Sequence, residues 1–245
     1  MSSYNIFAAY YDYLTENIDY DAGFDFISGI LNVNKAKKVI DLACGSGIMS
    51  EKLLKSGFSV IGIDLSQEML TVADSKLSSI GGNYSLIKSE MQNFALSEPA
   101  DACICCLDSI NHLTSEEDVL KTFKNVFCSI RNGGVFIFDV NTVYKHKTAL
   151  NNKAYIFDED DFFLAWDNET LENDTVRIIL DFFIENDEGL YERHSEEFLE
   201  RAYSEEDLKN MLKESGFTDI EVYGDLNFSV PDDENERLFF ICKKG

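Results

Sequence analysis

Two nucleotide-binding signatures are missing from this 245-residue chain. It has no G-x-G-x-x-G turn, which disfavours NAD, and no Gly-Lys-Ser/Thr ending, which disfavours an ATP-gripping loop. It has no apolar run long enough to cross a bilayer. Its first residues lack the basic start and cleavable apolar stretch of a secretory signal. Only three histidines occur, scattered along the chain, and with the cysteine spacing they disfavour a zinc site. Basic residues are outnumbered, 21 Lys and Arg against 45 Asp and Glu, for a formal charge of −24. The acid excess is larger in residues 141–245 than in residues 1–140. Such a surface repels phosphates and anionic lipid, so neither nucleic acid nor a membrane is an expected partner. Of the six cysteines, Cys103, Cys105 and Cys106 crowd one apolar strand and do not form a disulfide framework. Free thiols in apolar contexts behave as small hydrophobes and point to a reducing cytoplasm.

What is present is concentrated between Val39 and Leu70, VIDLACGSGIMSEKLLKSGFSVIGIDLSQEML. An apolar strand runs into a glycine-rich turn, a helix follows, and a second apolar strand ends in a carboxylate. Gly45 and Gly47 let the backbone turn sharply and approach a ligand closely. Asp41 sits where a dinucleotide site would hold pyrophosphate; it would repel phosphate but attract or position a cationic amine. Asp64, ending the second strand, is placed to accept hydrogen bonds from both hydroxyls of a ribose. The ligand implied is a nucleoside carrying an ammonium group. Cys44, inside the turn, has no histidine close in sequence to activate it, so it reads as a backbone position.

Further strand ends follow in order. SEMQNF, residues 89–94, ends strand three, and CLDSINHL, residues 106–113, follows an almost wholly apolar strand four. Such a strand belongs at the centre of a parallel sheet. Helices are predicted at 22–31, 48–55, 67–78, from 116 to 130, and from Glu205 to Gly216. Core strands are predicted at 38–43, 59–64, 84–88, 101–107, 135–141, 217–223 and 238–242. Between Asn141 and the helix at Glu205 the rhythm changes to short strands, at 154–157, 162–167, 175–184 and 190–202. Asn186-Asp-Glu-Gly189 marks a hairpin between the last two. Alternation in 191–202 puts Glu192, His194, Glu196, Phe198 and Glu200 on one face, with Tyr191, Arg193, Ser195, Leu199 and Arg201 on the other.

These motifs together resemble the class I S-adenosylmethionine-dependent methyltransferases, across residues 36–141 and more weakly to the end. DLACGSG resembles the first family motif, GIDLSQEML the second, SEMQNF the third, and CLDSINHL the segment lining the methyl-transfer site. The resemblance implies a Rossmann-like α/β fold: a seven-stranded, mostly parallel sheet with an antiparallel last strand. A small antiparallel β insertion follows strand five. Four regions are expected: an N-terminal helical lid (1–35), a cofactor core (36–141), the insertion as substrate lid (142–203) and the completing strands (204–245). It implies S-adenosylmethionine as cofactor, with no metal, held by Asp41, Ala43, Gly45, Gly47, Asp64, Leu65, Met69, Glu90, Met91 and Leu107. Glu90 and Met91 are expected at the adenine, with Phe94 as packing.

The N-terminal AAYYDYL and the insertion resemble small-molecule enzymes of the sugar amine and glycine N-methyltransferase kind. The implied reaction is direct displacement onto a nitrogen or oxygen of a small acceptor. A protein substrate and a SAM-binding protein without turnover are the alternatives. Tyr11 resembles the methyl-site tyrosine, with Tyr10 and Tyr13 competing for the role. His112, beside Asp108 and Asn111, has an ordinary pKa of about 6.5, suited to a base. Asn111, Arg193, His194 and Arg201 are candidates for the acceptor, although the two arginines can equally pair with neighbouring acids. Whether the protein is a monomer or a homodimer is left open by the sequence.

Overall fold

The computed structural model describes residues 10–15, 18–160, 162–186 and 188–245. The expected N-terminal lid therefore lies partly outside the described residues, as does Asp187 in the hairpin turn. A helical turn over residues 10–14 precedes α1 (Tyr20–Val33). The alternating part of the chain is β1 (Lys38–Leu42), α2 (Ile48–Lys55), β2 (Ser59–Asp64), α3 (Gln67–Ile80), β3 (Tyr84–Lys88) and β4 (Ala100–Cys105). A single 3-10 turn (Ser109–His112) leads to α4 (Glu116–Ser129) and β5 (Ile130–Asn141). A short α5 (Val143–Lys147) precedes four strands: β6 (Ala154–Asp158), β7 (Phe162–Thr170), β8 (Thr175–Glu185) and β9 (Tyr191–Arg201). Then come α6 (Glu205–Glu214), β10 (Phe217–Tyr223) and β11 (Arg237–Lys244).

Seven strands form one sheet in the order β10-β11-β5-β4-β1-β2-β3, and β6-β7-β8-β9 form a second, antiparallel sheet. Strands β1 to β5 run parallel, each pair joined by a crossover. The chain winds outward from β1 to β3 and then restarts at β4 on the other side. A crevice opens at the strand ends where the winding reverses. The last strand is antiparallel, as expected, and pairs with β10 as a hairpin at one edge of the sheet, with β11 lying between β5 and β10. Its residues Leu238, Phe240, Ile241 and Cys242 are buried, which makes an interior place the favourable one.

Local chemistry sets the helix starts that frame the crevice. The Ser66 hydroxyl accepts from the Met69 amide and caps α3; Ser115 and Ser204 cap α4 and α6 in the same way. Gly47 caps α2 at φ 82°, a left-handed conformation, and a methyl group there would lie 2.8 Å from the Ala73 Cβ. Gly47→Ala is therefore expected to cost about 2 kcal/mol or more of stability. Urea denaturation measures it, and a midpoint equal to the wild type would contradict this account of the turn.

The second sheet follows the predicted alternation. On β8, Val176, Ile178, Leu180 and Phe182 are buried, and they pair across the ladder with Glu200, Phe198, Glu196 and His194 of β9. Even-numbered β9 residues thus share the inner face, which looks onto the crevice. The N-terminal segment is packed against this sheet: the Tyr10 ring meets Phe162 and Phe182, and Tyr13 meets Phe162.

Candidate active site

A cavity of about 1130 Å³ occupies the crevice between the strand ends, the second sheet and the N-terminal segment. One end is built from the motif residues. Ala43, Gly45, Asp64, Leu65, Met69, Glu90, Met91 and Leu107 all line it. Each Asp64 oxygen is fixed by a backbone amide, Oδ2 by Gly45 and Oδ1 by Ser66, both at 2.8 Å. Burial raises the Asp64 pKa, against the lowering effect of these amides. A carboxylate so held has lone pairs left for two hydroxyls. Glu90 is positioned by the Asn93 side-chain amide, at 2.5 Å from its Oε2.

Two expected residues are not in the wall. Gly47 caps its helix against Ala73. Asp41 is buried beneath the turn and accepts from the Ser50 hydroxyl at 2.5 Å. Burial pushes its pKa up to about 7. It supports the turn from below; the expectation that it meets a ligand amine is corrected. The Cys44 thiol is buried and its pKa is pushed up by desolvation and by Asp41, which fits a packing role.

The other end holds the candidates for chemistry. Of the three tyrosines, Tyr11 is the one that lines the cavity. Its neighbour Asp12 straps this segment down: it accepts from the Ser46 hydroxyl on the glycine turn and pairs with Lys76 of α3. His112 also lines the cavity, with its ring 5.1 Å from that of Phe198. Burial lowers its pKa, so at neutral pH the imidazole is uncharged and able to accept a proton.

The acceptor candidates other than these are corrected. Asn111 is fully buried and bridges the chain, donating to the Asn141 and Arg201 carbonyls and accepting from the Asn141 amide. Arg193 lies on the outer face, bidentate to Asp181. Arg201 pairs with Glu116 and stacks on Tyr203. Both arginines occupy odd positions of β9, turned from the crevice. His194 is on the inner face but outside the cavity wall, near Glu192.

Sequence reasoning gave no role to Asp108, Lys145, Arg237 or the glutamates of β9 in this wall. Leu107 and Asp108 adopt φ of 56° and 51°, a left-handed pair without glycine. The Asp139 carboxylate holds them by accepting from both amides, at 2.8 and 3.0 Å. Arg237 on β11 reaches between Asp139 and Asp108, 2.5 Å from the latter. Burial pushes the Asp108 carboxyl up, but the charge of Arg237 and then that of Lys145 hold it below the usual range. Lys145 donates to the Asn141 side chain, and Glu196, Glu197 and Glu200 complete this end. Alternation groups Glu200 with Glu196 and Phe198 on one face of β9, which was the available signal; the pairing with β8 is what turns that face to the crevice.

The wall thus fits a nucleoside at one end and a polar acceptor at the other. Relatives agree on the class. A protein-family profile described as a methyltransferase domain matches residues 39–134. A protein of Geobacillus sp. (strain WCH70) named as a methyltransferase is 30% identical over 99% of this chain and 100% of its own. The crystal structure of an S-adenosylmethionine-dependent methyltransferase from Clostridium acetobutylicum superposes with a TM-score of 0.89, at 35% identity over 99% of both chains. This chain belongs to the S-adenosylmethionine-dependent methyltransferases. A glycine/sarcosine N-methyltransferase of Aphanothece halophytica is 28% identical over 90% of this chain and 81% of its own. The methyltransferase therefore takes S-adenosylmethionine as its methyl donor. Asp64, the Gly45 turn, Glu90 and Met91 have the donor and acceptor chemistry for its ribose and adenine. Among the described residues no cluster of three metal-ligating side chains occurs.

Proposed function

We propose that this methyltransferase acts on the nitrogen of a small amine. The observation that carries the reading is the set of carboxyl groups at the acceptor end, where Asp108, Glu196 and Glu200 line the wall beside Lys145 and Arg237. An ammonium group is attracted to such carboxylates. The relationship to a glycine/sarcosine N-methyltransferase supports the same acceptor atom. The bound cofactor supplies a methyl group on a positively charged sulfur, already activated for displacement. The chain's task is to align the acceptor, keep water out and leave the nitrogen lone pair free.

Tyr11 would orient the acceptor and His112 would orient it or take its proton. The N-terminal segment, strapped through Asp12, and the second sheet would together act as the lid. The six free thiols favour a cytoplasmic setting.

The test is a methyl-transfer screen of amines, hydroxy compounds and carboxylic acids with mass analysis of products. Methylation of hydroxy compounds alone would move the reading to oxygen. Saturable S-adenosylhomocysteine binding with no turnover in any class would favour a binding protein. On an active amine, Y11F and H112A are expected to keep their affinity for S-adenosylhomocysteine. H112A should lower kcat by about 100-fold or more if the imidazole takes the proton. Undiminished turnover in H112A would leave alignment as its whole contribution.

A further inference from the structure

Glu200 occupies an unusual position between two imidazoles. Its side chain is only 5% exposed, yet it reaches the cavity wall. Oε1 lies 3.9 Å from Nε2 of His112, and Oε2 lies 3.9 Å from Nε2 of His146. Oε2 also accepts from the Asn141 side-chain amide at 3.3 Å. Asp108, Lys145 and Arg237 complete the charged surroundings, so β11, α5, the 3-10 turn and the segment after β4 all face this carboxyl.

His146 gives the second observation. It is 1% exposed, and its Nδ1 lies 2.9 Å from the Asp174 carbonyl. A carbonyl only accepts, so Nδ1 carries the hydrogen. Burial lowers the His146 pKa and keeps the ring neutral. Nε2 is then a bare lone pair, without a hydrogen bond among the described residues, and it faces Glu200. Two acceptors facing each other in the buried interior call for a proton on one of them. The position is thus built to hold a proton behind the cavity wall.

Resting on the amine reading above, we infer that Glu200 is the group that takes the proton from the acceptor nitrogen, which leaves His112 the orienting role. In this step the ammonium R–NH3+ gives one proton to the Glu200 carboxylate, leaving R–NH2 and Glu200–COOH. The freed lone pair would then attack the methyl carbon as the methyl–sulfur bond breaks, its electron pair going to sulfur, to give R–NH2+–CH3 and neutral S-adenosylhomocysteine. Glu200 also sets specificity, since its ionised form attracts a cationic amine and has no such hold on an alcohol. Burial, followed by the charge of Asp108, pushes its pKa up to about 8. That is close enough to an amine for a nearly balanced transfer.

The experiment pairs E200Q with wild type on ethanolamine, benzylamine and glycine, each set against its hydroxyl counterpart: ethylene glycol, benzyl alcohol and glycolate. Wild type is expected to methylate an amine, with kcat/KM rising toward pH ~8 as the carboxyl ionises. E200Q should lose about 100-fold in kcat/KM at neutral pH while its S-adenosylhomocysteine affinity holds. The loss should shrink toward the amine's own pKa. A readout without turnover comes from melting temperature. The folded pKa of Glu200 lies above its unfolded value, so its stabilising share is full below pH ~4.5 and is lost as pH rises through ~8. The advantage of E200Q over wild type should therefore grow across that window. Should E200Q fail to bind S-adenosylhomocysteine, E200D, which keeps the acid but withdraws it, must show a lowered kcat at unchanged cofactor affinity. No amine turnover by wild type sinks the amine reading, and this assignment with it. Amine turnover by E200Q equal to wild type, or a stability gap flat in pH, sinks the assignment alone.

Discussion

Replacing Arg237 with methionine is expected to destabilise the protein by roughly 3 kcal/mol, the cost of stranding buried charges. Arg237 bridges Asp108 and Asp139, whose side chains are 18% and 7% exposed, and it is itself 25% exposed. Its guanidinium is held charged, because the two carboxylates outweigh burial. Without it, Asp139 keeps two backbone amides as partners, and Asp108 loses its main counter-charge. The Asp108 pKa then rises and the left-handed turn loosens. Urea denaturation at neutral pH reads the loss. Repeating it at pH ~4, where the Asp108 carboxyl of the variant, freed from its counter-charge, begins to protonate, should show a smaller difference between variant and wild type. A variant as stable as wild type at neutral pH would mean that the turn holds without the arginine.

Asp64→Ala is the second large effect, on the cofactor. Asp64 lines the cavity and is oriented by two amides before any ligand arrives. Losing charged hydrogen bonds to a ribose costs about 1.5–3 kcal/mol, or roughly 10- to 150-fold in affinity. Calorimetry with S-adenosylhomocysteine on wild type and D64A measures it. Circular dichroism must confirm that D64A is folded, since Asp64 also pins the Gly45 amide. Equal affinities in two folded proteins would remove Asp64 from the ribose site.

The contrast between these two residues explains what the sequence made legible. Asp64 could be read because one short stretch contains everything that positions it: the strand, the turn and the helix cap at Ser66. The strands and helices of the alternating half followed from local periodicity for the same reason. Alternation along β9 was also local, and it put Glu196, Phe198 and Glu200 together on one face; only the pairing with β8 made it the inner one. Asp108 and Arg237 stand 129 positions apart and meet only because β11 slots in beside β5. Nothing near either residue announces the other. Asp41 failed as a ligand contact because position in a motif does not fix depth: Ser50 takes its carboxylate inward. Asn111 failed similarly, since its amide was taken by the backbone of β5 and β9. The left-handed backbone at Leu107 and Asp108 carries no glycine to mark it; it depends on Asp139, from a strand two elements later.

That dependence has a consequence for how the sequence can drift. A glycine at position 108 would adopt the turn without help from a neighbour, but it would erase the carboxylate at the cavity wall. Keeping an acid there ties a turn position and positions on two separate strands into one unit of inheritance. Homologues should accordingly change 108, 139 and 237 together: an acid pair with a cation between them, or a glycine-like turn with neutral residues at all three.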